Sequence, residues 1–163
     1  MVEPWISGSH ADVDALLRPL FHSFEHAKLD LAKWTEGLST EQMWARPMEL
    51  GPVGFHIRHI AGSSDRLFTY VLGQQLSDAQ MAAMKAEMEP GVSRDELLAT
   101  LNESLDRIAS AAKSLDPATL GEFRGVGRKQ LPTTVMGLLV HIAEHTQRHV
   151  GEAIVTAKVV AKS

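Results

Sequence analysis

Residues 141–149 read His-Ile-Ala-Glu-His-Thr-Gln-Arg-His and place three histidines at strict four-residue spacing in a long helical pattern. An α-helix turns about 100° and rises about 1.5 Å per residue, so imidazoles four residues apart lie on one face, one turn above each other. Two of them can bind the same metal ion, because Zn–N bonds of about 2.0–2.1 Å allow that geometry. His141 and His149 lie about 12 Å apart along the axis. The spacing therefore predicts a helix that offers a histidine pair to a metal.

This helix is the last of four long helical patterns, in which apolar residues recur at steps of three and four. The patterns predict an all-α fold, a four-helix bundle with long connections and a short extra helix between the second and third helices. The chain has 163 residues, a usual size for one domain, and we expect a single domain over residues 1–163. The predicted long helices cover 11–37, 52–72, 94–115 and 132–158, and the short helix covers 77–89.

Turn and cap residues set these predicted boundaries. Ser93 with Glu96 forms a capping box at the start of the third helix. Pro19 lies inside the first pattern and predicts a kink there. Residues 119–131 contain three glycines and no clear period, so we expect a long loop with at most a short extended excursion.

Composition excludes several function classes. The net charge is −4 and the basic residues are scattered, which argues against a nucleic-acid or anionic-membrane partner. The chain contains no cysteine, which excludes disulfides, thiolate ligands and a cysteine nucleophile. The N-terminus lacks the pattern of a secretion signal, and no segment approaches the roughly 20 apolar residues of a membrane helix. We therefore expect a cytoplasmic protein.

The metal-binding pair is either His141 with His145 or His145 with His149. His145 and His149 fall on the apolar stripe of the fourth helix, whereas His141 lies beside it. Burying two imidazoles together is unfavourable unless their nitrogens find partners, and a metal ion provides one. A third ligand must come from another helix, where His56 and His59 are the candidates. Three histidines leave coordination positions open for water or substrate, as in catalytic sites.

Two segments carry a resemblance to a known family. Gly-Phe-His-Ile-Arg-His-Ile-Ala-Gly-Ser-Ser-Asp-Arg at 54–66 resembles the second-helix signature of the DinB-like superfamily. His-Ile-Ala-Glu-His-Thr-Gln-Arg-His-Val-Gly-Glu at 141–152 is similar to its fourth-helix signature, a histidine pair followed by glycine. The order of helices and the loop lengths agree with the family over nearly the whole chain.

The resemblance implies a four-helix bundle, often dimeric, with a divalent metal ion on His59, His145 and His149. The metal would be Ni, Zn or Fe, since imidazole suits all three. Activities in the superfamily include metal-dependent hydrolysis and thiol-cofactor-dependent transfer or isomerisation. Because the chain has no cysteine, any thiol would be a low-molecular-weight cofactor.

A rival motif overlaps the histidine stretch. His141-Ile-Ala-Glu-His145 matches the His-x-x-Glu-His pattern of inverzincin proteases, with Glu144 as general base. This reading pairs His141 with His145 and needs Glu152 as the acidic ligand. The known proteases of this type are much larger, and Glu144 is equally explained by an ion pair with Arg148 at i+4.

Five further residues are candidates for the surroundings of the ligands or the lining of a pocket. They are His56, His141, Asp65, Arg66 and Glu152.

Two function hypotheses follow. The favoured one is a metal-dependent enzyme with a three-histidine site that supports hydrolysis or thiol-dependent S-transfer on a small molecule, in a homodimer. The alternative is a non-catalytic bundle that acts as a dimerising interaction module or binds a small ligand, with its histidines serving only as buried polar groups.

Overall fold

The computed structural model describes residues 2–162, and most of them are helical. The helices are α1 (Arg18–Trp34), α2 (Thr40–Trp44), α3 (Val53–Val71), α4 (Asp78–Lys85), α5 (Arg94–Ala112) and α6 (Val135–Val160). Short 3₁₀ turns occur at Pro4–Ile6, Pro47–Glu49 and Pro117–Thr119. Within the described residues, none of the helices has the length and apolarity needed to cross a membrane.

Polar side chains set the starts of four helices. Ser39, Ser77 and Ser93 each form a capping box at the start of α2, α4 and α5. The side chain of Thr134 caps α6 by accepting a hydrogen bond from the backbone N–H of Gly137. Each such cap satisfies backbone donors that the helix leaves unpaired and stabilises the fold by about 1 kcal/mol. The predicted box of Ser93 with Glu96 is confirmed.

The four long helices share one core. Helix α6 packs against α1 and α3, while α5 packs against α3 and α1. Their apolar stripes supply the buried side chains, such as Leu31, Ile60, Leu105 and Ile142. The contact between α3 and α6 matters most for function, because it brings the histidines of both helices face to face.

The first helix is shorter than predicted. It begins at Arg18, whereas the sequence pattern predicted a start near residue 11. Pro19 lies in its first turn, where a missing N–H costs no helical hydrogen bond, so the kink predicted there is wrong. The segment before it is held by turns, with His10 at a φ of 58° and Leu16 largely exposed.

The predicted loop at 119–131 contains part of a small β-hairpin, and the mostly helical structure is consistent with the predicted all-α class. Strand β1 (Phe123–Val126) pairs antiparallel with β2 (Leu131–Thr134), in the register Phe123↔Thr134. The turn uses Gly127 at a φ of 69°, a conformation that glycine adopts without strain. Since β2 continues to Thr134, the fourth long helix starts at Val135 rather than near Pro132.

The tight approach of α2 to α3 yields a stability prediction. A Cβ atom at Gly54 would lie 2.8 Å from Cε2 of the Trp44 ring. We expect Gly54→Ala to lower the free energy of unfolding by about 1–3 kcal/mol, because the ring must move out of a packed position. Chemical denaturation of the purified variant measures this change.

Gly151→Ala is the matched control. Gly151 is exposed within α6, and a Cβ there meets nothing within 4 Å. Because alanine favours a helix over glycine by up to about 1 kcal/mol, this variant should be as stable as the parent or more stable. Equal destabilisation by both substitutions would contradict the steric explanation.

Candidate metal centre

Helices α3 and α6 bring together His59, His145 and His149. One ring nitrogen from each lies within 4.8 Å of the others. The ring centroid of His149 lies 4.5 Å from that of His59 and 4.5 Å from that of His145. The structure thus juxtaposes the three residues that the family resemblance implied as ligands, and the pair on α6 is one turn apart as the spacing predicted.

The Nδ1 atoms of these rings face partners around the cluster. Nδ1 of His59 lies 2.6 Å from Oε2 of Glu87, and Nδ1 of His149 lies 3.0 Å from Nδ1 of His56. Nδ1 of His145 lies 3.5 Å from Oγ of Ser63, a longer contact. A hydrogen bond at Nδ1 fixes the tautomer and leaves the Nε2 lone pair available to an ion.

Glu87 is held in place by two arginines. Arg66 donates from Nη1 to Oε1 of Glu87 at 2.7 Å, and both side chains are buried. Arg58 donates to the carbonyls of Ala86 and Glu89 at 2.7 Å each, which fixes the end of α4 against α3. Burial raises the pKa of Glu87, but hydrogen bonds from His59 and Arg66 outweigh it and lower the pKa overall. Glu87 is therefore a carboxylate that orients His59.

Burial favours the neutral state of two imidazoles of the cluster, those of His145 and His149. It lowers the pKa of His145 to about 4, with a further contribution from His149 and His59. Burial also lowers the pKa of His149. Near neutral pH these rings therefore carry free lone pairs, the state in which histidine binds a metal ion.

Glu87 and Phe55 belong to the site but were not predicted. Phe55 stacks on His59 with ring centroids 5.3 Å apart and closes one side of the cluster with an apolar surface. Glu87 lies just beyond the end of a short helix with no buried stripe, so no periodicity in the sequence marked its burial. Phe55 precedes His56 in the signature segment, but nothing in its spacing indicated a ring contact.

The residues predicted to surround the ligands lie in different places. His56 and Glu152 lie beside His149, with Oε2 of Glu152 3.2 Å from Nδ1 of His149 and 3.3 Å from Nδ1 of His56. Arg66 donates a hydrogen bond to Glu87, which in turn contacts His59. Asp65 instead accepts a hydrogen bond from Arg107 at 2.9 Å.

His141 lies outside the histidine cluster. It is about half exposed, and its Nδ1 lies 2.7 Å from Oε1 of Glu144. Oε2 of Glu144 accepts a hydrogen bond from Arg148 at 2.8 Å, as the i+4 spacing predicted. Glu152 is placed beside His149 rather than with His141. The rings of His141 and His145 lie 5.4 Å apart, whereas Glu152, the acidic ligand that the protease-like interpretation requires, lies beside His149.

The buried ion pair of Arg66 with Glu87 should make the stability of the fold sensitive to the loss of either charge. Glu87→Gln leaves the guanidinium of Arg66 buried without its carboxylate, and we expect the free energy of unfolding to fall by about 3–5 kcal/mol. Glu89→Gln removes the same charge from an exposed side chain two residues away and should change stability by less than about 0.5 kcal/mol. Urea unfolding of both variants tests this, and equal stabilities would show that Arg66 does not depend on Glu87.

A family model described as DinB superfamily matches residues 23–153, a range that contains the histidine cluster, Glu87 and Glu152. Comparison with curated proteins gave no match.

Proposed function

The chain belongs to the DinB superfamily, and we propose that it is a divalent-metal enzyme that acts on a small molecule by hydrolysis or by thiol-dependent S-transfer. His59, His145 and His149 would hold the ion. The long helices would form the four-helix bundle of the family, in a homodimer. One observation supports this proposal above the others: three imidazoles converge from two helices.

The residues present fit a divalent metal. Burial lowers the pKa of His145 and of His149, so these two rings offer a lone pair to a metal ion near neutral pH. Glu87 restrains His59 through its Nδ1 atom, an arrangement that orients histidine ligands in metal sites. Three histidines suit Zn, Ni or Fe, and they leave positions for water or substrate.

A bound divalent ion would supply Lewis acidity, which lowers the pKa of a water or thiol at the open position. The chain itself supplies orientation and shielding. Glu87 and Arg66 hold His59, and Phe55 limits water on one side of the cluster. Since the chain has no cysteine, a thiol would come from a small-molecule cofactor, whereas hydrolysis requires only water.

Metal content tests the proposal directly. Protein produced without a histidine tag should carry about one equivalent of a divalent metal at this site, measured by elemental analysis. His145→Ala should lose that metal, because two ligands no longer hold it firmly. His141→Ala is the matched control on the same helix and should keep it. Metal-free parent protein that does not take up added Zn²⁺, Ni²⁺ or Fe²⁺ would contradict the proposal.

Activity is tested by comparing metal-loaded protein with chelator-treated protein. One panel contains ester and amide substrates, and a second contains electrophiles offered with low-molecular-weight thiols. Turnover should require metal, persist in His141→Ala and vanish in His149→Ala. Metal binding should also raise the melting temperature, since a ligand that binds only the folded state stabilises it. A metal that stabilises the fold without any turnover would favour a non-catalytic binding module.

A further inference from the structure

The Nδ1 side of His149 faces a second group of donors. Nδ1 of His149, Nδ1 of His56 and Oε2 of Glu152 form a triangle with sides of 3.0, 3.2 and 3.3 Å. Donor atoms around a four-coordinate ion with bonds of about 2.0–2.1 Å lie about 3.3 Å apart. The triangle thus has the dimensions of one face of a metal site.

The contact between His56 and Glu152 places two potential acceptors close together. His56 is buried, and its Nε2 atom lies close to Gly51. With its ring proton on Nε2, His56 presents a lone pair at Nδ1, 3.3 Å from a carboxylate oxygen of Glu152. A cation resolves such a contact between acceptors.

We propose that His56, His149 and Glu152 form a second divalent-cation site beside the first. Two nitrogen donors and one carboxylate oxygen suit a borderline ion such as Zn²⁺, Ni²⁺ or Co²⁺. His56 and Glu152 also line a cavity of about 680 Å³ that includes Glu49 and Arg148. The cavity gives an ion access and room for water ligands. Arg148 is held by Glu144 at 2.8 Å, which reduces its opposition to a bound cation.

The second site shares only His149 with the first. Nδ1 of His149 faces His56 and Glu152, so the first site would use Nε2 and the second Nδ1. When both are filled, the imidazole bridges two ions and its remaining N–H proton passes to solvent. Each site also has two ligands that the other lacks. The second site therefore does not require the proposed function, and the two fail separately.

Equilibrium dialysis of metal-free protein against Zn²⁺, with elemental analysis, counts the sites. The parent should bind two ions. His145→Ala removes a ligand of the first site only, and Glu152→Gln removes the carboxylate of the second only, so each should bind one. Glu103→Gln makes the same charge change at an exposed position of α5, away from both groups of ligands, and should bind two. Glu152 is about half exposed, so its variant should fold, which circular dichroism checks.

Other results would overturn one proposal or both. One ion in the parent that is lost in His145→Ala and kept in Glu152→Gln leaves the proposed function standing and overturns the second site. One ion with the opposite behaviour supports the second site and overturns the first. One ion lost in both variants indicates a single merged site and overturns the second site. No bound ion overturns both.

Discussion

Helix α3 lies directly against α6, and this contact crowds partly buried imidazoles against one another. A buried imidazole is costly unless both of its nitrogens find partners. The surrounding structure provides partners for the Nδ1 atoms of the cluster. These partners are Glu87, Ser63, His56 and Glu152. Their placement in turn depends on Arg66, on Arg58 at the end of α4, and on Gly51 before α3.

The same constraint links stability to metal binding. Burial that lowers the pKa of His145 disfavours the charged ring, and that loss of charge prepares the lone pair for an ion. The Glu87–Arg66 pair is also costly to desolvate, yet its carboxylate orients His59. The site therefore uses groups that are poor contributors to an apolar core, and the stability of the fold comes from the stripes of the four long helices.

The sequence predicts the helices and the histidines but not their surroundings. A four-residue spacing on an apolar stripe is a local property, and it identified His145 and His149; the resemblance added His59. Glu87 depends on how α4 folds back onto α3, which no local pattern encodes. The extended excursion expected in the loop at 119–131 was not recognised as a paired β-hairpin, because its strands are short and carry glycine and proline. The first helix was predicted too long because its apolar spacing continues into the turns before Arg18.

His149 shows how one residue can serve two different environments. Its position on α6 sets both, since one nitrogen turns toward the rings from α3 and α6 while the other meets His56 and Glu152. Among residues 2–162, His59 and His145 have no such second set of donors, because Glu87 is already bound to Arg66 and Ser63 offers only a hydroxyl group at 3.5 Å. His149 differs from the other two histidines because Glu152 lies one helical turn after it on α6 and because His56 lies one turn before His59 on α3. Both follow from the same helical period that aligns the histidines.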